Sequence, residues 1–146
     1  MSALSTTVDL DVIRTWMAPA GFHRILQLDL LDYDPESQRL RLSLPFRDDY
    51  ARLPQVGDYH GGVLAAALDV AGTFVSALAA GRVVATANLR TDYLRSPVRI
   101  DLIATAHIVR AGRTTIVADA SLADETGKLF ATARGTWCPI ATEPGR

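Results

Sequence analysis

The run HGGVLAAALDVAGTFVSALAAG, residues 60–81, decides most of what this chain can become. Alanine and leucine dominate it, and Gly81 stands where a left-handed residue closes a helix, so the pattern predicts a helix over 60–80. Apolar side chains fall on nearly every side of that helix, and a helix of this kind is expected to be buried. One carboxylate, Asp69, interrupts the apolar pattern. Burying a carboxylate without partners is expensive, so this residue needs either a partner or a task.

The flanks supply the layer that such a helix requires. Ahead of it, FHRILQLDLLDYD and QRLRLSLPF read as two strands around the turn DPES. In the second, Leu40, Leu42, Leu44 and Phe46 alternate with polar positions, the period of a half-buried strand. The stretch RDDYARLPQVGDY, residues 47–59, mixes charge, Pro and Gly and reads as a loop. Behind the helix come RVVATANLRTDYLR, VRIDLIATAHIVR, TTIVADASLADE and KLFATARGTWCPI, strand-like runs separated by SP, AGR and TGK. Short connections favour antiparallel neighbours, so these four are expected to form an antiparallel run. Near the start, STTVDLDVIRTWM predicts a short amphipathic helix with a Ser or Thr cap, ending before Pro19.

At 146 residues there is room for one domain. The expected organisation is an N-terminal helix and lead-in over 1–20, one domain over 21–140 and a tail over 141–146. A net charge of -1 gives no reason to expect nucleic acid as a partner. The lone Cys138 excludes an internal disulfide, and no spacing among His23, His60 and His107 makes a metal site of the usual kind. No cofactor is expected. The first residues lack a basic segment leading into an apolar core, and the apolar stretches read as too short to span a bilayer. The expectation is a cytoplasmic protein without a membrane partner.

A long apolar helix entered through His60, Gly61 and Gly62, with an acid seven positions after the second glycine, resembles the hotdog-fold acyl-CoA thioesterases of the PaaI-like family, named for a phenylacetate-degradation thioesterase. The later run TANLRTDYLRSP is similar to the family's strand after the helix, which ends in an aromatic residue shortly before a proline. The resemblance covers roughly residues 22 to 138 and implies an α+β hotdog fold: a long central helix wrapped by a curved antiparallel sheet of about six strands. It implies acyl-CoA as the substrate, with the Gly61 N–H polarising the thioester and His60 and Gly62 shaping the turn. It further implies Asp69 as general base or nucleophile and Thr86 holding the attacking water. One departure stands out: many relatives carry an asparagine about six residues before the histidine, and here that place holds Pro54, with Gln55 beside it.

These roles agree with the chemistry of the residues. The first N–H groups of a helix lack internal partners and sit at its positive end, suited to an oxyanion, and glycine leaves close approach open. A threonine hydroxyl both donates and accepts. Arg95 and Arg113, near turns, are candidates for coenzyme A phosphates, and Arg90 or Arg95 is an alternative, purely structural partner for Asp69. Asp58 is read as a cap for the helix start. Gly61 and Asp69 are eight residues apart, hence about 12 Å along one helix, too far for one substrate atom to touch both. Two antiparallel helices from two copies would bring them together, so a homo-oligomer, a dimer or dimer of dimers with shared sites, is expected. A hotdog hydratase or dehydratase and a non-catalytic acyl-thioester-binding protein remain the alternatives.

Overall fold

The structure, a computed structural model, describes residues 8–18 and 21–141. Two short helices, α1 (Leu10–Met17) and α2 (Gly21–Leu26), precede the strands β1 (Asp29–Asp34) and β2 (Arg39–Leu44). A 3-10 turn (Asp48–Tyr50) and a small hairpin, β3 (Ala51–Leu53) with β4 (Asp58–Tyr59), lead into α3 (Gly61–Ala80). Four long strands follow: β5 (Val84–Tyr93), β6 (Leu102–Ala111), β7 (Ile116–Ala123) and β8 (Leu129–Pro139). Six strands form one antiparallel sheet in the order β1-β2-β6-β7-β8-β5, and α3 lies across its inner face. This is the hotdog arrangement that the resemblance implies.

Leu40, Leu42 and Leu44 of β2 and Leu102 of β6 turn inward and are fully buried, as alternation requires. In the middle of the sheet the inward positions are small: Ala104, Ala106, Ala118, Ala120, Ala131 and Ala133. Together with the alanines of α3 they let helix and sheet approach closely. The exception is Trp137 of β8, fully buried, whose indole fills the gap between two glycines. A methyl group on Gly72 of α3 would lie 2.3 Å from the ring and one on Gly135 would lie 2.5 Å from it.

Several expectations are corrected. The run from Phe22 begins as α2 and becomes strand only at Asp29, because Phe22, Ile25 and Leu26 carry helical spacing and Gln27, with φ of 45°, breaks the chain direction. The cap of α1 is Asp9, whose side chain accepts from the Val12 N–H at 3.0 Å; Ser5, Thr6 and Thr7 lie outside the described residues, as do Pro19 and most of the tail. Residues 47–59 hold the hairpin rather than a plain loop. β5 is not the neighbour of β6: the connection over 94–101 swings past the helix start, and β5 pairs with β8 at the far edge.

The central helix also differs from its reading. Only ten of its twenty residues are buried. Phe74, Val75, Ser76 and Ala77 are enclosed, with Trp16 of α1 and His23 of α2 packed on the Phe74 ring at 6.2 and 5.4 Å. Over its first turns a strip of small or polar residues, Gly62, Ala65, Ala66, Asp69 and Thr73, stays open beside the β5 edge. By length and composition α3 is apolar enough to cross a membrane, contrary to the expectation; here its apolar face is spent on the sheet.

Candidate active site

The start of α3 is built from its two glycines and the rings they admit. The chain arrives through Tyr50, whose buried hydroxyl donates to the Leu26 carbonyl and whose own carbonyl accepts from the His60 N–H at 2.8 Å. His60 is the N-cap: its Nδ1 accepts from the Gly62 N–H at 2.9 Å. A methyl on Gly62 would sit 3.0 Å from that nitrogen, so the bare α-carbon is what lets the imidazole fold back. With Nδ1 accepting, the neutral ring carries its proton on Nε2, which is left as a donor. Asp58, expected to cap the helix, instead receives Arg52 at 2.8 Å, which holds its carboxyl below the ordinary value.

The Val63 N–H is taken by the His60 carbonyl at 3.0 Å. Among the described residues, the Gly61 N–H has no acceptor. It stands at the positive end of a twenty-residue helix, the setting in which a backbone donor stabilises developing negative charge. A groove of about 610 Å³ opens at this end of α3, lined by Phe22, Ile25, Tyr50, Val63 and the neighbours of Gly61 on either side, His60 and Gly62. Phe22 and Ile25 are each more than half exposed and line it, an apolar wall facing a polar helix end.

Two turns further along, Asp69 lies on the open strip and accepts from the Thr86 hydroxyl of β5 at 2.8 Å. The fold thus brings these two candidates together, while the two arginines weighed as structural partners of Asp69 go elsewhere. Arg90 reaches Asp92 at 3.2 Å and Arg95 donates to the Leu129 carbonyl at 2.6 Å. One turn after Asp69, the Thr73 hydroxyl accepts from Trp137 Nε1 at 2.9 Å, and among the described residues it donates to none.

A bulge in β5 makes this geometry possible. Thr86 pairs with Trp137 and Asn88 with Thr136, so Ala87 is an extra residue in the strand. Thr86 and Tyr93 are seven residues apart, and strict alternation would point them to opposite faces. With the bulge both reach α3: Thr86 touches Asp69, and the Tyr93 hydroxyl donates to the Gly61 carbonyl at 3.0 Å.

The remaining predicted residues are scattered. Gln55 sits exposed in the turn between β3 and β4 and does not line the groove. Arg95 lies at the Gly61 end of the sheet, beside Phe130. Arg113 lies at the opposite end, where its carbonyl accepts from Arg82 just beyond α3. The helix between them is about 30 Å long, so in one protomer the two arginines do not face the same phosphate group.

Residues 56–131, just over half of the chain, match the thioesterase superfamily. A predicted esterase of Halobacterium salinarum is 38% identical over 94 residues, 61% of this chain and 62% of that protein, so the match spans less than two thirds of that relative. A substituted form of the phenylacetic acid degradation protein PaaI from Thermus thermophilus is 28% identical, with a TM-score of 0.72 over 82% of this chain and 98% of that one. A predicted thioesterase related to phenylacetic acid degradation, from Ralstonia eutropha, is 25% identical, with a TM-score of 0.73 over 86% and 97%.

Proposed function

The chain belongs to the thioesterase superfamily, and from that premise we propose that it hydrolyses an acyl-CoA thioester to a free acid and coenzyme A, at sites shared between two copies of the chain. The observation that carries this reading is the Asp69 carboxylate held by the Thr86 hydroxyl at 2.8 Å, on the same helix whose first N–H has no acceptor among the described residues.

In this reaction the thioester carbonyl oxygen accepts from the Gly61 N–H, with the Nε2–H of His60 as a second donor in reach of the same groove. Asp69 of the other copy removes a proton from water as the water oxygen bonds to the carbonyl carbon. The tetrahedral oxyanion collapses, the C–S bond breaks, and the proton held by Asp69 goes to the departing thiolate. Thr86 fixes one carboxylate oxygen and leaves the second for the water. Direct attack by Asp69 on the carbonyl carbon, forming a mixed anhydride as the thiolate leaves, is the variant pathway; after a single turnover in ¹⁸O water, label in the Asp69 carboxylate identifies it, since water must then have added to the aspartyl carbonyl.

Two features support the shared site. Gly61 and Asp69 are about 12 Å apart on one helix. β5 is a ten-residue strand at the sheet edge, and the open strip of α3 runs beside it. Unpaired edges of that length invite a further strand, and a second copy meeting edge to edge also brings the two open strips together. We assign Arg95 and Arg113 to the coenzyme A side, with contributions from both copies, and Gln55 to the place of the family's asparagine.

The test is thiol release from short, medium, long and aromatic acyl-CoAs by the wild type and by Asp69→Asn, with thermal melts of both. Turnover that collapses in a folded variant is the expected result. Hydration of an enoyl thioester without thiol release would turn the assignment to a hydratase, and binding without any turnover would turn it to a carrier of acyl thioesters.

A further inference from the structure

We propose that Tyr93 is a positioning residue of the oxyanion site: its hydroxyl anchors the Gly61–Gly62 peptide, and through it the orientation of the free Gly61 N–H. The inference rests on the thioesterase reading for its consequence in catalysis, but its geometry stands apart from it.

The peptide is held at both ends. Its oxygen accepts from the Tyr93 hydroxyl at 3.0 Å, and its N–H donates to His60 Nδ1 at 2.9 Å. A carbonyl oxygen has two lone pairs; the helix uses one, and Tyr93 occupies the other. The ring lies along the first turn of α3, where a methyl on Gly61 would be in ordinary van der Waals contact with it, 3.4 Å from Cε1. Tyr93 is 54% exposed, and its ring is not fixed by burial in the core. What aims it at the helix is the bulge at Ala87, which brings an odd-numbered residue of β5 onto the face that Thr86 also uses.

A helix end is the part of a helix most prone to fray, because its first donors have no internal acceptors. Catalysis by an N–H requires that donor to be in place before charge develops, since preorganisation is what makes such donors effective. Pinning the next peptide from both sides meets that need without consuming the Gly61 N–H itself. Gly62 and Val63 N–H groups are spent on His60, so among the described residues the arrangement leaves Gly61 as the free donor.

The experiment compares wild type, Tyr93→Phe and Tyr93→Ala by steady-state thiol release and by glycine-selective ¹⁵N NMR, which has only ten glycines to resolve. For Tyr93→Phe, which keeps the ring, kcat is expected to fall about 2- to 10-fold, the worth of one neutral hydrogen bond, with KM unchanged. The Gly61 and Gly62 amide resonances are expected to move while the melting temperature stays near wild type. Full activity and unmoved amides in Tyr93→Phe, with loss confined to Tyr93→Ala, would overturn the proposal in favour of ring packing. A raised KM at constant kcat would overturn it in favour of substrate contact. If the wild type releases no thiol, moved amides in Tyr93→Phe uphold the anchor while the hydrolase reading falls; unmoved amides sink both.

Discussion

Side-chain hydrogen bonds join β5 to α3 at two stations, each through a single hydroxyl. At the first, Tyr93 donates to the Gly61 carbonyl; at the second, Thr86 donates to the Asp69 carboxylate. The first arranges backbone, leaving a donor free for an oxygen. The second arranges a side chain, leaving an acceptor free for a proton. Their supports differ in kind: the first is hemmed by exposed or half-exposed rings on bare glycines, whereas the second rests on Trp137, fully buried and locked between Gly72 and Gly135. Donor and acceptor thus sit on one helix at a separation neither can close, and in the function proposed above a second copy of that helix supplies the other half of each site.

The largest expected effect comes from breaking the second station. Asp69→Asn is isosteric and lies on the open strip, so it should keep the fold while kcat drops by about 10²- to 10⁴-fold, the usual worth of a general base. Thiol release beside a thermal melt checks it, and a loss smaller than tenfold removes the base from Asp69.

Gly61→Pro removes the donor of the first station. Proline is tolerated at the first helical position, His60 before it already has the extended backbone that proline demands, with φ of -65° and ψ of 131°, and the added Cβ comes only into ordinary contact with the Tyr93 ring. A kcat loss of about 10²- to 10³-fold with an intact helix is expected. Mixing this variant with Asp69→Asn under subunit exchange should return about a quarter of wild-type activity, because half of the random dimers regain one of two sites. No recovery on mixing would place both stations in the service of one protomer.

Smaller effects test the supports. Gly72→Ala drives a methyl into the Trp137 indole and should cost about 1–3 kcal/mol of stability by denaturant melt, with the second station losing order ahead of the first. On the outer face of the sheet, Arg134 donates to Asp119 at 2.6 and 2.7 Å and holds its carboxyl below the ordinary value. Because that folded-state value is depressed, the pair's contribution is present above the ordinary aspartate value of 3.8 and is lost as the pH falls through the lowered one. Both partners are partly exposed, so Arg134→Ala should cost no more than about 1 kcal/mol at neutral pH and nothing in acid.

Much of the fold is legible in the chain itself. The helix over 60–80, its glycine entry and the strand content after it follow from local composition and spacing, and the family resemblance is what singles out Thr86 beside Asp69. The strand assigned from Phe22 was not legible, because a six-residue helix and the start of a strand carry the same apolar residues, and the backbone reversal at Gln27 leaves no mark in composition. The all-round burial of α3 failed for a related reason. Apolarity tells that a surface seeks cover, and a strip of glycine, alanine and threonine is equally consistent with a sheet, a substrate or a second copy.

What the sequence by itself determined is the set of parts: one long apolar helix, enough strands to wrap it, two glycines at its start and one carboxylate at a fixed distance along it. Those are properties of neighbours within a few residues, where periodicity and propensity act. Only the tertiary structure decided that β5 runs to the far edge beside β8, that one extra residue at Ala87 reverses the strand's alternation, and that Thr86 and Tyr93 therefore face the same helix. A bulge is the outcome of pairing against a partner strand that lies roughly forty or more positions further along the chain, and no local pattern in β5 records it.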